Sequence, residues 1–351
     1  MKPSELADTF TKVVESLKHI VIVVAQIDPD ALASAFVLKE IISKISAKST
    51  MTVVDIVFGG HIGNAQNRTI INLFDLSRAM IPSTEYDFSK CEAVALVDSS
   101  KMKDGRVTLP TNLSPVIVID HHRDSDLPTG GGQFYWIDEV GSCSTMLVEL
   151  WLALGFGIEK LNEALLVMLA LGVFTDTQAL IQAGERDFQV YQSISKRIEP
   201  RQLQKFLSPA LNRDYFDQLQ IALQNRVQKN GSLVTGLGTI DHDDGDNVAL
   251  IADLLIREST VSTVIVWAIV DNVIRIAARN DDVSEPLEDF LREKFGPDSG
   301  AKLTSHGLGI GGARLELNSA PWMTKALKYS DSQKKLEDFI GQLVQDLVFN
   351  D

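Results

Sequence analysis

Residues 116–122 constrain the fold of this chain more than any other stretch. Four β-branched apolar residues, Val116 to Ile119, predict a strand buried on both faces, as in a parallel sheet covered by helices. The run ends abruptly at Asp120, His121 and His122. Open α/β sheets bind ligands beyond the carboxyl ends of their strands, so this switch predicts a functional site. A helix-capping Asp followed by two solvated histidines is the alternative that this segment alone leaves open.

The same pattern recurs at two other apolar runs. The strand predicted at 20–24 leads to Asp28 and Asp30, and the strand predicted at 93–97 runs directly into Asp98. If these strands are neighbours in one sheet, their carboxylates share a partly desolvated crevice and raise one another's pKa. A divalent cation would remove that penalty. Capping of the following helix is the alternative role for Asp28 and Asp30.

A fifth carboxylate closes an apolar helix. Residues 163–174 are almost wholly apolar, which predicts a buried helix, and the segment ends at Thr175-Asp176-Thr177. A buried carboxylate needs a partner, because an unpaired charge is strongly disfavoured in an apolar environment. A metal ion would serve for Asp176.

Length and composition set the outer limits. With 351 residues, of which 45% are apolar and 23% charged, the chain can bury sizeable cores and is expected to form two domains. Its apolar runs are shorter than the ~20 residues that span a bilayer, and its polar N-terminus does not resemble a signal peptide. Cys91 and Cys143 are expected to be buried thiols in a reducing compartment. These features predict a soluble, cytoplasmic protein without a membrane partner.

The negative net charge of the chain restricts the kinds of partner that it can bind. A formal net charge of −14 argues against a protein that grips long nucleic acid by its backbone, because that mode needs Lys and Arg. Short or small phosphorylated substrates are compatible with acidic walls if cations hold their phosphates.

In order and spacing, these motifs resemble those of the DHH phosphoesterase family. The resemblance covers residues 18–195, and its layout is most similar to the oligoribonuclease (nanoRNase) and pAp-phosphatase branch. It implies a hydrolase that uses manganese or magnesium ions, two in number. The motifs that carry it are Asp28-x-Asp30, Asp98, Asp120-His121-His122 and the segment 172–177, Gly-Val-Phe-Thr-Asp-Thr.

The resemblance also implies roles for individual residues. Asp120 would accept the ring N–H of a histidine and fix its tautomer. His122 would face the phosphate as a hydrogen-bond donor or general acid. The implied metal ligands are Asp28, Asp30, Asp98, His121 and Asp176.

One position departs from the family pattern. Val24 stands where the family usually has a metal-binding histidine, and valine cannot bind a metal. Gln26 is near enough to contribute a carbonyl oxygen. We therefore expect one of the two ions to be weakly held. The departure favours an alternative function, a degenerate nucleotide-binding or sensing protein with little or no turnover.

The second half of the chain predicts a helical connector and a smaller domain. We expect a DHH domain at 1–186, a connector at 187–228, and at 229–351 an α/β domain similar to the family's DHH-associated substrate-binding domain. By resemblance, Arg279 would bind substrate at a strand end, whereas Arg275 is expected on the surface. The Gly-rich segment 305–314 would form a phosphate-binding nest, with a plain turn as the alternative. Its candidate phosphate-binding residues are His306, Gly311, Gly312 and Arg314.

The sequence thus predicts an α/β protein with a mainly parallel sheet and a second, smaller α/β domain. Its expected function is metal-dependent hydrolysis of short oligonucleotides or nucleotide phosphoesters in the cleft between the domains. A degenerate nucleotide-binding protein and a pyrophosphatase or polyphosphatase are the alternatives. The oligomeric state is left open, with a homodimer as one candidate.

Overall fold

A computed structural model of the chain describes residues 3–350, except residues 48–50, 61–64, 105, 111, 123–124, 126, 128–132, 208–210, 283, 285, 305–306 and 318–328. The chain divides into two compact units, Met1–Ala210 and Leu211–Asp351. This boundary falls inside the segment 187–228 that the sequence predicts as a connector. Each unit has its own hydrophobic cores.

Six parallel strands form the sheet of the first unit, and a separate hairpin adds two short ones. The strands are β1 (His19–Val24), β2 (Val53–Phe58), β3 (Ile81–Pro82), β4 (Ala93–Val97), β5 (Lys103–Asp104), β6 (Val107–Thr108), β7 (Pro115–Asp120) and β8 (Phe134–Ile137). Their order in the sheet is β3-β2-β1-β4-β7-β8, while β5 and β6 pair with each other. The five residues of β4 are all buried, as its unbroken apolar run predicts.

The helices of the first unit are α1 (Pro3–Glu15), α2 (Pro29–Ser46), α3 (Ala65–Leu73), α4 (Cys143–Ala153), α5 (Glu163–Asp176), α6 (Glu185–Ser195) and α7 (Pro200–Leu207). Side chains cap the three central ones, because Asp28, Ser142 and Asn162 accept hydrogen bonds from the first turns of α2, α4 and α5. These helices share one large apolar core with the sheet.

The strand order places the carboxyl ends of β1 and β4 side by side. The chain winds outward from β1 through β2 and β3, and then returns to continue from β4 on the other side of β1. This reversal is the topological switch point at which open α/β sheets bind ligands. The loops that follow β1 and β4 carry Asp28, Asp30 and Asp98 to that crevice.

The second unit contains a mixed sheet. Its strands are β9 (Val227–Lys229), β10 (Ser232–Ile240), β11 (Thr263–Val270), β12 (Val273–Asn280), β13 (Ser299–Leu303) and β14 (Gly309–Glu316), in the order β13-β14-β12-β11-β10-β9. β10 and β11 are parallel, and the other neighbours are antiparallel. Its helices are α8 (Arg213–Asn225), α9 (Asn247–Leu255), α10 (Leu287–Phe295) and α11 (Ser330–Phe349).

The predicted fold class is confirmed, whereas the Gly-rich segment differs from the expectation. Gly311 and Gly312 lie inside β14, where they pair with β12 on one side and β13 on the other. Backbone groups engaged in two ladders cannot form an anion-binding nest, so the nest expected at these two glycines is wrong.

Two smaller expectations concern cysteines and membrane spans. Cys91 and Cys143 are both buried free thiols, as predicted. None of the helices that the structure describes is both long and apolar enough to cross a membrane.

Candidate metal centre

Four of the five predicted metal ligands meet at the switch point of the first sheet. Asp30 lies in the first turn of α2, Asp98 follows β4, His121 follows β7, and Asp176 is the last residue of α5. One possible ligand atom from each lies within 4.8 Å of the others. Their side chains are largely withdrawn from solvent, at 0%, 5%, 12% and 24% exposure respectively.

His121 is oriented so that its Nε2 faces the carboxylates. Its Nδ1 lies 3.1 Å from the Val140 carbonyl oxygen, which can only accept, so Nδ1 carries the proton of this contact. The Nε2 atom lies 3.2 Å from Asp98 Oδ1, 3.3 Å from Asp176 Oδ2 and 3.9 Å from Asp30 Oδ2. Within the described structure, His121 Nε2 and Asp98 Oδ1 are buried with no hydrogen-bond partner. Buried polar atoms of this kind need an occupant, and a metal ion supplies one.

The N-terminus of α4 holds Asp30. The backbone amide of Cys143 donates to Asp30 Oδ2 at 2.6 Å, and that of Ser144 donates to Oδ1 at 2.7 Å. These bonds use one lone pair of each oxygen and leave the others free to face the centre. Gly172 of α5 allows this approach, because a Cβ at that position would lie 2.8 Å from Asp30 Oδ1.

Asp98 adopts a left-handed backbone conformation. Its φ of 54° is unfavourable for a residue with a Cβ, at a cost on the order of 1 kcal/mol. The Asp98 amide still donates to the Ile119 carbonyl at 3.0 Å, so the strand ladder continues up to this turn. The strained residue is thus fixed at the edge of the sheet, and its carboxylate turns into the centre.

Asp28, the fifth predicted ligand, lies beside the cluster. Its Oδ1 accepts the Ala31 amide at 2.9 Å and caps α2, which is the alternative role that the sequence left open. Its charge nevertheless reaches the centre, because it raises the pKa of both Asp98 and Asp176 in addition to the effect of their burial. Asp28 is therefore a helix cap positioned to complete a ligand set.

The electrostatics of the cluster favour a bound cation. Burial, together with neighbouring carboxylates, raises the pKa of Asp28 and of Asp30 to about 6. Burial by itself would lower the pKa of His121, but the neighbouring carboxylates of Asp176, Asp98 and Asp30 raise it to about 11. The cluster therefore retains protons that a divalent cation would replace.

The donor set fits a hard divalent ion. Carboxylate oxygens and one imidazole are the ligands that manganese and magnesium accept. Cys143 is adjacent, but its Sγ donates to the Ile119 carbonyl at 3.3 Å, and burial raises the pKa of the thiol well above its usual value. Asp176 also faces the negative end of the α5 dipole, where a nearby cation is stabilising.

Asp120 is hydrogen-bonded to His122 and not to His121. Its Oδ1 accepts from His122 Nδ1 at 2.8 Å and from the His122 amide at 3.2 Å. Burial tends to raise the pKa of Asp120, but hydrogen bonds from His122 and Ser100 outweigh it, and the pKa is lowered. The His122 side chain is 54% exposed, and Asp98, His121 and His122 form a second group that could hold an ion.

The Val24 departure takes a specific structural form. Val24 is fully buried at the end of β1, within the apolar core. The side-chain carbonyl of Gln26, which the sequence offers as a substitute ligand, accepts a hydrogen bond from Arg106. Arg106 and Gln26 are thus paired on the surface of the first unit, a contact that no motif in the sequence indicates.

The predicted substrate residues of the second unit do not form one group. The Arg279 side chain is 6% exposed and donates to Asp253 and to the carbonyls of Ala249 and Ala278. Gly311 packs against Leu291. Gly312 and Arg314 line a separate pocket. His306 lies outside the described residues, so its role stays a prediction.

Sequence reasoning missed the contribution of Asp187. This residue is 1% exposed in the first turn of α6, and it accepts hydrogen bonds from the Gly141 and Gly184 amides and from Thr145 Oγ1. It therefore fixes the loop that supplies the Val140 carbonyl and the α4 amides. An acidic residue at the start of a helix signals capping, but nothing local indicates a link to residues 141–145.

The chain is similar to known proteins in sequence and in structure. Residues 19–173 match the DHH family, N-terminal domain. An uncharacterized protein of Methanocaldococcus jannaschii is 30% identical over 274 residues, which cover 77% of this chain and 53% of that protein. The chain thus spans about half the length of this curated relative.

One solved structure reproduces the architecture. An exopolyphosphatase-related protein from Bacteroides fragilis superposes with a TM-score of 0.63 at 14% identity, covering 97% of this chain and 98% of that one. At this identity, the likeness shows a shared fold.

Proposed function

We propose that this chain is a divalent-metal-dependent phosphoesterase, because residues 19–173 match the N-terminal domain of the DHH family and the acidic residues and histidine of this segment converge. The observation that carries the proposal is the set of Asp30, Asp98, His121 and Asp176, in which His121 Nε2 and Asp98 Oδ1 are buried and lack hydrogen-bond partners. A site that leaves such buried atoms without a hydrogen bond within the described structure is organised to hold an ion.

Residues around that ion have separate roles in the proposed reaction. When bound, divalent metal supplies Lewis-acid stabilisation of phosphoryl charge and lowers the pKa of a nucleophilic water. His122 keeps its Nδ1 on Asp120, so its Nε2 is the atom that can donate to the leaving oxygen. Hydrogen bonds lower the pKa of Asp120, so it stays ionised and fixes the orientation of the His122 ring.

Short oligonucleotides and nucleotide phosphoesters of the pAp type are the proposed substrates. Support comes from the motif pattern, which resembles the oligoribonuclease and pAp-phosphatase branch, and from a net charge of −14, which disfavours long nucleic acid. Manganese or magnesium is the proposed cofactor, because the donors are oxygen and nitrogen. A cytoplasmic location is part of the same proposal.

A metal-dependent hydrolysis assay tests the proposal. The full-length chain is incubated with manganese or magnesium and with pAp, a short RNA, a linear dinucleotide, or inorganic pyrophosphate. We expect release from the nucleotide substrates that chelation abolishes, and a loss of at least ~100-fold in kcat for Asp98→Ala, since one metal ligand is removed. Asp87→Asn is the matched control, because Asp87 is an exposed aspartate that precedes β4.

The alternatives give different results in the same assay. If only pyrophosphate is hydrolysed, the substrate is a phosphoanhydride and not a nucleotide phosphoester. Tight nucleotide binding without release would support the degenerate binding protein suggested by Val24. Release that is unchanged in Asp98→Ala and Asp176→Ala would exclude the proposed mechanism.

A further inference from the structure

A pocket of about 590 Å³ lies in the second unit between α8 and α11, at the outer edge of β10. β9 pairs with this edge only at residues 232–234, so the strand has no further neighbour on that side in the described structure. The volume falls within the roughly 300–1,000 Å³ of small-molecule sites. Among the described residues, none that the family resemblance assigns to substrate binding lines this pocket. Its wall includes Ile221, Asn225, Gly236, Leu237, Trp267 and Gln345.

Two glycines allow the indole ring of Trp267 to lie between β10 and α11. Trp267 pairs with Gly236 across β10 and β11, and a Cβ at Gly236 would lie 2.3 Å from the ring. A Cβ at Gly341 of α11 would lie 3.2 Å from Trp267 Cζ2. Trp267 is 5% exposed, so the ring is fixed in the wall of the pocket and offers no open face on which a ligand could stack.

The indole N–H of Trp267 is a donor that lacks an acceptor. Among the described residues, no hydrogen bond from this N–H is present. A buried indole N–H usually has a partner, because leaving it unpaired forfeits the hydrogen bond that it makes to water in the unfolded chain. Since Trp267 lines the pocket, an acceptor atom of a ligand there would supply the missing partner.

A second unpaired group lies one helical turn from the indole. Gln345 follows Gly341 by four residues, so the two lie on the same face of α11. The side-chain amide of Gln345 forms no hydrogen bond within the part of the chain that the structure describes. It therefore offers a donor and an acceptor side by side, close to the N–H of Trp267.

The charges around the pocket disfavour an anion. Lys334 lines it together with the carboxylates of Glu337 and Asp338. Glu337 is engaged within the protein, because it accepts hydrogen bonds from Thr239 and Gln333. One lysine against two carboxylates gives no excess of positive charge, so an uncharged ligand fits the pocket better than a phosphate or a carboxylate.

An extended peptide is also disfavoured, although β10 has an uncovered edge. The Gly236 carbonyl accepts from Asn225 Nδ2 at 3.1 Å, and the Thr239 amide donates to Glu337 Oε1 at 2.9 Å. Side chains thus already occupy backbone groups that an added strand would need. The uncharged polar groups left for a ligand include those of Trp267 and Gln345.

We propose that this pocket binds an uncharged nucleobase, free or as a nucleoside, by the edge of its ring. A nucleobase places donor and acceptor atoms side by side on a rigid planar edge. The amide of Gln345 can bond to both, as side-chain amides do to adenine in nucleic acid recognition. A further ring acceptor would receive the Trp267 N–H, and Ile221 and Leu237 supply apolar contact. The proposal does not rest on the proposed hydrolysis, because it involves neither phosphate nor metal.

Calorimetric titration of the full-length, metal-free protein tests the site. Protein in excess EDTA is titrated with adenosine, guanosine, uridine, ribose and AMP. At least one nucleoside should bind, ribose should not, and AMP should bind no more tightly than adenosine, since the pocket lacks excess positive charge. Binding of AMP without adenosine would identify an anion site, and equal binding of ribose and nucleosides would identify a sugar site. Either result, or the absence of nucleoside binding, would overturn the proposal.

Matched variants assign the binding to the pocket. Gln345→Ala and Trp267→Phe should each weaken nucleoside binding roughly 5–10-fold, because each removes hydrogen bonding between uncharged groups. Gln224→Ala makes the same truncation at an exposed glutamine of α8 outside the pocket, and it should bind like wild type. Equal affinity in all three variants would overturn the proposal.

Thermal stability separates a ligand site from a structural role. Because Gln345 has no hydrogen-bond partner in the described structure, Gln345→Ala should melt within about one degree of wild type without ligand. A saturating nucleoside should stabilise wild type and Gln224→Ala more than Gln345→Ala. A clearly lower melting temperature of Gln345→Ala without ligand would contradict the proposal. Hydrolysis plays no part in these measurements, so their failure is distinguishable from a failure of the proposed phosphoesterase activity.

Discussion

Gly172 of α5 lies against Asp30 of α2. A Cβ at this position would be 2.3 Å from Ser144 Oγ and 2.8 Å from Asp30 Oδ1. Both neighbours are buried. Asp30 accepts a hydrogen bond from the backbone of α4, and Ser144 lies in the first turn of that helix, so neither side chain can move aside freely. The position of Asp30, a predicted metal ligand, therefore depends on a residue without a side chain.

We expect Gly172→Ala to weaken metal binding by roughly 10–100-fold and to destabilise the protein by about 1–3 kcal/mol. The reason is that the new methyl group must displace Asp30 or Ser144. Metal titration and thermal unfolding measure the two effects. Gly300→Ala is the control, since nothing lies within 4 Å of a Cβ there. Unchanged manganese affinity in Gly172→Ala would show that Asp30 does not bind the ion.

Asp28 gives a prediction about pH. Burial raises its pKa from 3.8 to about 6 in the metal-free protein. For a raised pKa, the stabilising contribution is fully present below the unfolded value and is lost as pH rises through the folded value. Ionisation of Asp28 should therefore lower the stability of the metal-free protein between about pH 4 and pH 6, and bound metal should cancel this loss.

Denaturant unfolding in EDTA measures this effect. Asp28→Asn keeps the α2 cap, because Asn caps helices as well as Asp, but it cannot ionise. We expect it to match wild type near pH 4 and to be more stable above pH 6. With excess manganese above pH 6, wild type should gain more stability than the variant. Equal pH profiles in EDTA would contradict the prediction.

Among the secondary-structure elements, the N-terminus of α4 organises the centre. Ser142 caps the helix, and the next two amides bind Asp30. The preceding loop places the Val140 carbonyl against His121. Asp187 of α6 connects this region to the rest of the unit through Gly141 and Thr145. One helix end thereby positions two of the predicted metal ligands, Asp30 and His121.

Asp187→Asn should lower the free energy of unfolding by about 1–3 kcal/mol, because the new amide group faces donors instead of accepting from them. Metal affinity should fall together with stability, since the loop that holds His121 and Asp30 loosens. Calorimetric titration with manganese and denaturant unfolding test both effects. Glu185→Gln, an exposed change in the same helical turn, is the control and should alter neither. If stability falls while metal affinity is unchanged, the loop held by Asp187 does not position the predicted metal ligands.

For the molecule as a whole, two units with separate cores imply separate responses to ligands. The candidate metal centre belongs entirely to the first unit. A ligand stabilises the part of the structure that must fold to bind it. The responses of the two units can therefore be read independently.

Scanning calorimetry of the full-length chain should resolve two unfolding transitions. Removal of metal with EDTA should lower the temperature of one transition by several degrees or more, and the other should stay within about one degree. Asp98→Ala should abolish the metal dependence of the first transition. A single transition that shifts as a whole would show that the units unfold cooperatively.

Much of this organisation could be predicted from local patterns. Unbroken β-branched runs are typical of strands in a covered parallel sheet, and they identified β1, β4 and β7 together with the acidic residues at their ends. The apolar helix α5 and its terminal Asp176 were equally visible. These features depend on burial and on chain direction, which short segments express by themselves.

The tertiary structure alone decided how those segments meet. It set the strand order that brings Asp98 beside Asp30, assigned Asp120 to His122, and placed the α4 amides on Asp30 from 113 residues away. It also paired Arg279 with Asp253 and left Arg275 facing Arg314. The sequence indicates which groups are ionisable and which segments are buried, but long-range packing determines their partners. For that reason the convergence of the predicted metal ligands was foreseen, and the pairing of Arg279 with Asp253 was not.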